Sequence, residues 1–258
     1  MKMDIQAIVE SLMQAHTHSC TAEKPQYKCD ACHDTGWVEA DPVTRAVRKC
    51  ECMKAREAEE RMKRSGLEQA LSVQTFDTFV TKTALQKKLY DTGKAYLDSV
   101  LHDADNPRRP WLYIGGNPGS GKTHICTAIC GELLKNNIGV RYMQWLDESR
   151  RLKASVNDED FEDYVADYIN VPVLYVDDLM KQKYTKYPTF TEADIKIAFT
   201  ILNARYLQNK PTIISSEWDL IDQLLSADEG VFSRVYERCK GFTVTIDRNP
   251  ANNYRLSA

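Results

Sequence analysis

No stretch of this sequence approaches the roughly 18 uninterrupted apolar residues that read as a membrane-crossing helix, so a membrane-embedded chain is not expected. The opening segment, MKMDIQAIVESLMQAHTHSC, breaks every apolar run with polar side chains and lacks the continuous core of a secretory signal. A cytoplasmic protein with no membrane partner is the expectation. Positive charge is not in excess either: 34 Lys and Arg against 37 Asp and Glu give a net charge of −3. That balance argues against a protein that coats nucleic acid by bulk charge, although a local basic surface could still hold a single strand. Internal repeats and low-complexity segments are lacking as well.

Forty-three per cent hydrophobic and 28% charged residues over 258 positions describe an ordinary globular chain, long enough for one domain and a smaller module. Near the start, Ile5, Ile8, Val9, Leu12 and Met13 share one helical face, which predicts a short helix over 4–16. The run MKAREAEERMKRSG, residues 53–66, reads as an exposed connecting helix that stops at its glycine. Leu85, Leu89, Tyr90, Ala95, Tyr96 and Val100 mark a further helix packed on the core.

From Trp111 onward strands and helices alternate. WLYIG, GVRYMQWL, VPVLYVDD and PTIISS are the strands; THICTAICGELLKN, a stretch ending near Tyr168 and EADIKIAFTILNARYLQN are the helices. Such alternation predicts an α/β fold, a parallel sheet flanked by helices on both faces. The boundary between module and main domain is expected between about residues 66 and 82, which divides the chain into 1–69 and 70–258.

Gly116-Asn117-Pro118-Gly119-Ser120-Gly121-Lys122-Thr123 fits the G-x-x-x-x-G-K-[ST] phosphate-binding pattern, with a strand before it and a helix after it. Glycines let successive backbone N–H groups turn toward phosphate oxygens, and the following helix presents its positive end to the same anion. Lys122 is expected to reach the β- and γ-phosphates of ATP or ADP, and Thr123 to offer its hydroxyl to Mg²⁺. Asp177 and Asp178 end an apolar strand, where such sheets collect their ligands. Asp177 would complete the Mg²⁺ shell, and Asp178 would polarise the attacking water. Aspartate is one methylene shorter than glutamate, so slow hydrolysis is expected of this pair. The plain alternative for both carboxylates is a solvated turn.

Cys29, Cys32, Cys50 and Cys52 crowd into a short segment, and disulfides are rare in a cytosolic chain. Four thiolates in two short loops suit tetrahedral Zn²⁺ in a closed structural site. The second pair is tighter than the usual knuckle, so His33, His16, His18 or Cys20 could replace one ligand. Free thiols or redox chemistry are the other reading. Gly36 and Trp37 supply a turn and an apolar anchor between the pairs. Farther along, Lys181, Lys183, Tyr184, Lys186 and Tyr187 mix cations with rings, a pattern suited to single-stranded DNA or simply to a solvated loop.

GGNPGSGKTH, YVDDL, KPTIISSE and SRVYERCKG, in that order, together with CDACHDTGW and TFDTF upstream, resemble the AAA+ ATPases of DnaC/DnaI-type helicase loaders within the IstB-like superfamily. The resemblance covers about residues 29–255. It implies a loop extended through His124, a sensor 1 at Ser216 and a sensor 2 at Arg255. It also implies that Arg234 or Arg238 reaches ATP on a neighbouring subunit, hence self-association. Glu217 stands where that family commonly has asparagine. The implied partners are a replicative hexameric helicase, held by the N-terminal part, and single-stranded DNA, held by the ATPase part. An IstB-type transposition ATPase and a nucleotide-binding adaptor without significant hydrolysis are the alternatives.

Overall fold

The computed structural model describes residues 27–41, 44–102, 106, 108–155, 158, 160–181 and 190–256. The helix expected over 4–16 lies outside these residues, as do His16, His18, Cys20, Lys183, Tyr184, Lys186 and Tyr187. The chain divides into two compact units, one ending at Ala55 and the other beginning at Arg56. The expected boundary at 69/70 falls inside the second unit, because Leu67 and Leu71 are buried in its core.

In the first unit the segment between the cysteine pairs forms an antiparallel hairpin, β1 (Trp37–Asp41) and β2 (Ala46–Lys49), with Trp37 opposite Lys49. Trp37 is no anchor: it is 52% exposed. Helix α1 (Cys52–Ser65) follows, as its charged, helix-favouring composition predicts.

The second unit begins within α1 and continues with the short helix α2 (Glu68–Leu71) and then α3 (Ala84–His102). Its sheet comprises β3 (Leu112–Gly116), β4 (Val140–Gln144), β5 (Val173–Asp177), β6 (Thr212–Ser215) and β7 (Thr243–Ile246). All pairings are parallel, in the order β4-β5-β6-β3-β7. The crossovers are α4 (Lys122–Lys135), α5 (Trp145–Ser155), α6 (Phe161–Asn170), α7 (Glu192–Leu207) and α8 (Glu229–Arg238), with a π-helical turn at Leu220–Leu225.

Side chains alternate across each strand, so a strand covered on both faces reads as a continuous apolar run. Leu112, Ile114, Tyr175 and Ile213 join Leu89 and Tyr96 of α3 and Ile125 and Ile129 of α4 in one buried cluster. Tyr113, Leu174, Val176 and Ile214 join Leu152, Val165, Ile201 and Phe232 of the other helices in a second. Three details differ from the sequence reading. Trp145 begins α5 rather than ending a strand. The single helical stretch expected before Tyr168 is the pair α5 and α6. Strand β7 was not anticipated: its TVTI is short, alternates with threonine and lies at the sheet edge, so its apolar signal is weak. Among the described residues no helix is long and apolar enough to cross a membrane.

At the opening ends of β5 and β6 sits a fully buried arginine, Arg205 of α7. Its guanidinium donates to the carbonyls of Tyr168, Ile169, Val171, Pro172 and Pro211 and to the Thr212 hydroxyl, at 2.5 to 3.2 Å. Burial pulls its pKa below the ordinary arginine value, and the ring of acceptors compensates the charge. Replacing Arg205 by Ala orphans those carbonyls and is expected to cost at least about 3 kcal/mol of stability. Urea unfolding measures this; an unchanged midpoint would refute the role.

Candidate functional site

The glycine-rich loop runs from the end of β3 into α4, where it is shaped by close backbone passage. Gly116 has φ +106°, and a Cβ there would lie 2.0 Å from the Ile246 carbonyl oxygen of β7. Gly119 has φ +73°, and its Cβ would meet the Asn253 side chain at the same distance, 2.0 Å. These are positions only glycine tolerates. The Gly116 N–H donates to the Ser216 carbonyl at 3.2 Å and the Asn117 N–H to that of Ile246 at 3.1 Å. The Ser120 hydroxyl donates to the Asn117 carbonyl at 2.8 Å. Gly121, also left-handed, starts the helix. Lys122 is 5% exposed, and its ammonium donates to the carbonyls of Gly116 and Asn117 at 2.9 and 2.7 Å. Burial lowers its pKa.

Asp177, 6% exposed, ends β5 with its carboxylate surrounded by hydroxyls. Tyr142 of β4 donates at 3.0 Å, Tyr175 of β5 at 2.7 Å and Thr123 of α4 at 3.2 Å, and Ser215 of β6 makes a short hydrogen bond. The two oxygens that suit a divalent cation, from Thr123 and Asp177, are thus already adjacent. Tyr142, Tyr175 and Ser215 were not singled out from sequence. Tyr175 was accessible by the two-residue strand period, which puts it on the face of Asp177.

Asp178 takes a left-handed backbone, φ 55°. Burial raises its carboxyl pKa above the usual aspartate value, against the opposing pull of Lys181. Lys181 bridges Asp178 at 2.8 Å and Glu217 at 2.9 Å. A residue read from sequence as part of a DNA-facing loop therefore lies in the phosphate cavity, which it lines with Pro118, Lys122, Thr123, His124, Asp178, Glu217 and Arg255. Glu217, at the expected asparagine position, is paired. Ser216 is fully buried, and its hydroxyl is committed to the Leu179 carbonyl at 2.8 Å and the Trp218 N–H at 3.1 Å. Its expected role as a nucleotide-facing hydroxyl is replaced by a structural one.

The two arginines of α8 differ. Arg238 is buried, stacks on Tyr206 with 4.6 Å between guanidinium and ring, and donates to the Tyr206 carbonyl at 2.7 Å and to Asn209. Arg234 lies half-buried over Phe199 and Tyr206, hydrogen-bonded to Gly230 of its own helix. Arg238 is thus engaged within its own chain through Nη2, while its buried Nε and Nη1 have no hydrogen-bond partner among the described residues. Arg255 also borders a second cavity, of about 770 Å³, with Phe79, Val80, Thr83, Gly121 and Tyr254. His124 joins the loop to the TFDTF segment through Thr75 O at 2.9 Å, Thr78 Oγ1 at 3.2 Å and an edge contact on Phe79. Val80, Thr83 and Tyr254 carried no signal of their own.

In the first unit, the sulfurs of Cys29, Cys32, Cys50 and Cys52 lie within 4.8 Å of one another. Tetrahedral ligation with bonds of about 2.3 Å needs S···S edges of about 3.8 Å. The Cys29–Cys50 and Cys32–Cys52 separations, 3.8 and 3.4 Å, fit a metal site. His33 stacks on Tyr27 instead of joining the set. Burial pushes the Cys32 thiol up, yet the Gly36 backbone and the neighbouring thiols bring it to about 7, while Cys52 is pushed up to about 12. Crowded thiols resist a second deprotonation that a cation would relieve.

This sheet order, with a glycine-rich loop between β3 and α4 and paired carboxylates after β5, defines a P-loop protein of the AAA+ class. Residues 32–243 match the model of the IstB-like ATP binding protein family, and the chain belongs to that family. Protein YqaM of Bacillus subtilis (strain 168) is 31% identical over 211 residues, covering 80% of this chain and 66% of YqaM. Phage-like element PBSX protein XkdC of the same organism is 29% identical over 258 residues, covering 95% of this chain and 94% of XkdC. The DnaC helicase loader shares the fold, with a TM-score of 0.54 and 24% identity over 70% of this chain and 99% of that one.

Lys122→Ala is expected to weaken ATP binding on the order of 100-fold. Because the ammonium donates to two loop carbonyls that its removal leaves without that donor, a modest fall in melting temperature, from a stability loss of about 1 kcal/mol, should accompany the loss of binding. A titration with fluorescent ATP beside a thermal melt checks both, and undiminished binding would refute the assignment.

Proposed function

We propose that this chain is an ATP-dependent loader that places a replicative hexameric DNA helicase on single-stranded DNA. The observation that carries the reading is a four-cysteine cluster in the N-terminal unit of an IstB-like chain whose solved neighbours include a helicase loader. The N-terminal unit, ending at Ala55, grips the helicase, and the unit beginning at Arg56 binds ATP and DNA. Zn²⁺ held by Cys29, Cys32, Cys50 and Cys52 supplies folding energy to a module too small for its own core.

At the phosphate cavity, Mg²⁺ between Thr123 and Asp177 would neutralise phosphate charge. The loop amides and Lys122 hold the β- and γ-phosphates, and Arg255 approaches them from the C-terminal segment. Asp178 orients water: the water oxygen bonds to the γ-phosphorus, the bond to the bridging oxygen breaks with its electron pair leaving on ADP, and the water proton passes to Asp178. Arg234 is the candidate to reach ATP on a neighbouring copy, since Arg238 is engaged with Tyr206 and Asn209. Loss of γ-phosphate contacts switches the assembly between two states and releases the helicase.

A transposition ATPase acting on duplex DNA is favoured by the family description alone. A nucleotide-binding adaptor without significant hydrolysis is favoured by Asp178, one methylene shorter than glutamate, and by Glu217 in the cavity.

Purified protein is expected to carry one Zn²⁺ per chain, and Cys29→Ser to lose the metal and helicase binding while keeping ATP affinity. Metal analysis and pull-down against the host helicase, full length beside a chain starting at residue 56, measure this. Helicase capture without residues 1–55 would sink the two-part division. Hydrolysis should also fall on the acid side at a pH above the ordinary aspartate range, because Asp178 must lose a proton from a raised pKa. A limb at the ordinary value would remove Asp178 as the base.

A further inference from the structure

Two carboxylates, Asp178 and Glu217, the second standing where the resembled family commonly has asparagine, meet at one side chain. Both carboxylates line a cavity suited to a polyanion, with Asp177 beside it. Uncompensated, they would repel a γ-phosphate. The Lys181 ammonium sits between them, 2.8 Å from one and 2.9 Å from the other.

Lys181 is not a loose surface lysine. Its N–H donates to the Asp178 carbonyl at 2.9 Å, closing a turn in which Asp178 and Met180 both have positive φ. That turn is pinned to the end of β6. The Leu179 N–H donates to the Ser215 carbonyl at 2.8 Å, the Ser216 hydroxyl to the Leu179 carbonyl and the Trp218 indole to the Met180 carbonyl, each also at 2.8 Å. Leu179 and Met180 are fully buried. The ammonium is therefore delivered to the cavity by packed backbone, with the side chain 33% exposed beside a Glu217 that is 31% exposed.

We propose that Lys181, held by Glu217, is the γ-phosphate-sensing positioning residue of this chain: it neutralises the two carboxylates so that the cavity accepts a triphosphate and keeps Asp178 aimed at the attacking water. An ion pair thus does what a neutral amide would otherwise do. The proposal rests on the ATP-binding reading of the cavity. It requires that loss of Lys181 hurt ATP more than ADP, since ADP lacks the phosphate nearest the carboxylates. It also requires that removing the Glu217 charge repair part of that loss.

The test is an equilibrium titration of the full chain with fluorescent ATP and ADP in the presence of Mg²⁺. Lys181→Ala is expected to weaken ATP at least about tenfold more than ADP. Lys181→Arg should keep the ATP preference, and Lys181→Ala combined with Glu217→Gln should recover most of the ATP affinity. Equal losses for both nucleotides, or no recovery in the double variant, overturn the proposal, as does a wild-type protein without ATP preference. Phosphate release and helicase capture are read on the same samples. Their absence beside an intact affinity cycle rejects the loader reading and leaves Lys181 as the γ-phosphate sensor.

Discussion

The carboxylate of Asp177 is buried, and a buried charge persists only where hydrogen bonds replace its water. Here the donors are hydroxyls from four different elements: Thr123 of α4, Tyr142 of β4, Tyr175 of β5 and Ser215 of β6. Satisfying one charge therefore fixes three neighbouring strands and the helix after the glycine loop against each other. The same Ser215 hydroxyl accepts the Asp178 N–H at 3.1 Å, so the next residue inherits its position from the first. The phosphate loop, the candidate cation ligands and the Asp178 carboxylate that lines the cavity are parts of one hydrogen-bonded cluster.

At the other end of the same strands Arg205 poses the inverse problem. It is a buried cation with carbonyls as its compensation, and it ties the starts of β5 and β6 together. Parallel pairing then carries the register along the strands, Leu174 beside Thr212 and Val176 beside Ile214. A slip of one residue would turn Asp177 away from Ser215. Two buried charges of opposite sign thus clamp the strands that carry the acidic half of the site. The first unit meets a different constraint: two short strands enclose too little apolar surface, and four sulfurs within 4.8 Å stand in place of a core.

Much of this was legible because it is written locally. The G-x-x-x-x-G-K-T spacing, the apolar run ending in two aspartates and the paired cysteines each depend on residues close in sequence. Buried parallel strands announce themselves as uninterrupted apolar stretches, which is why four of the five strands of the larger sheet were read and edge strand β7 was not. Trp37 misled because aromatic residues usually pack, while this one lies on a two-stranded hairpin with little to pack on.

Sequence alone determined the fold class, the phosphate loop and the clustering of four cysteines near the N-terminus, since each follows from short-range spacing and periodicity. Tertiary structure alone decided the rest. It put Lys181 between Asp178 and Glu217, committed the Ser216 and Arg238 side chains to the scaffold, and gathered Tyr142, Tyr175 and Ser215 around Asp177. These outcomes depend on which strands become neighbours and which backbone turns are left-handed. They are set by burying charge and packing a sheet on both faces, a global balance that no local pattern of residues encodes.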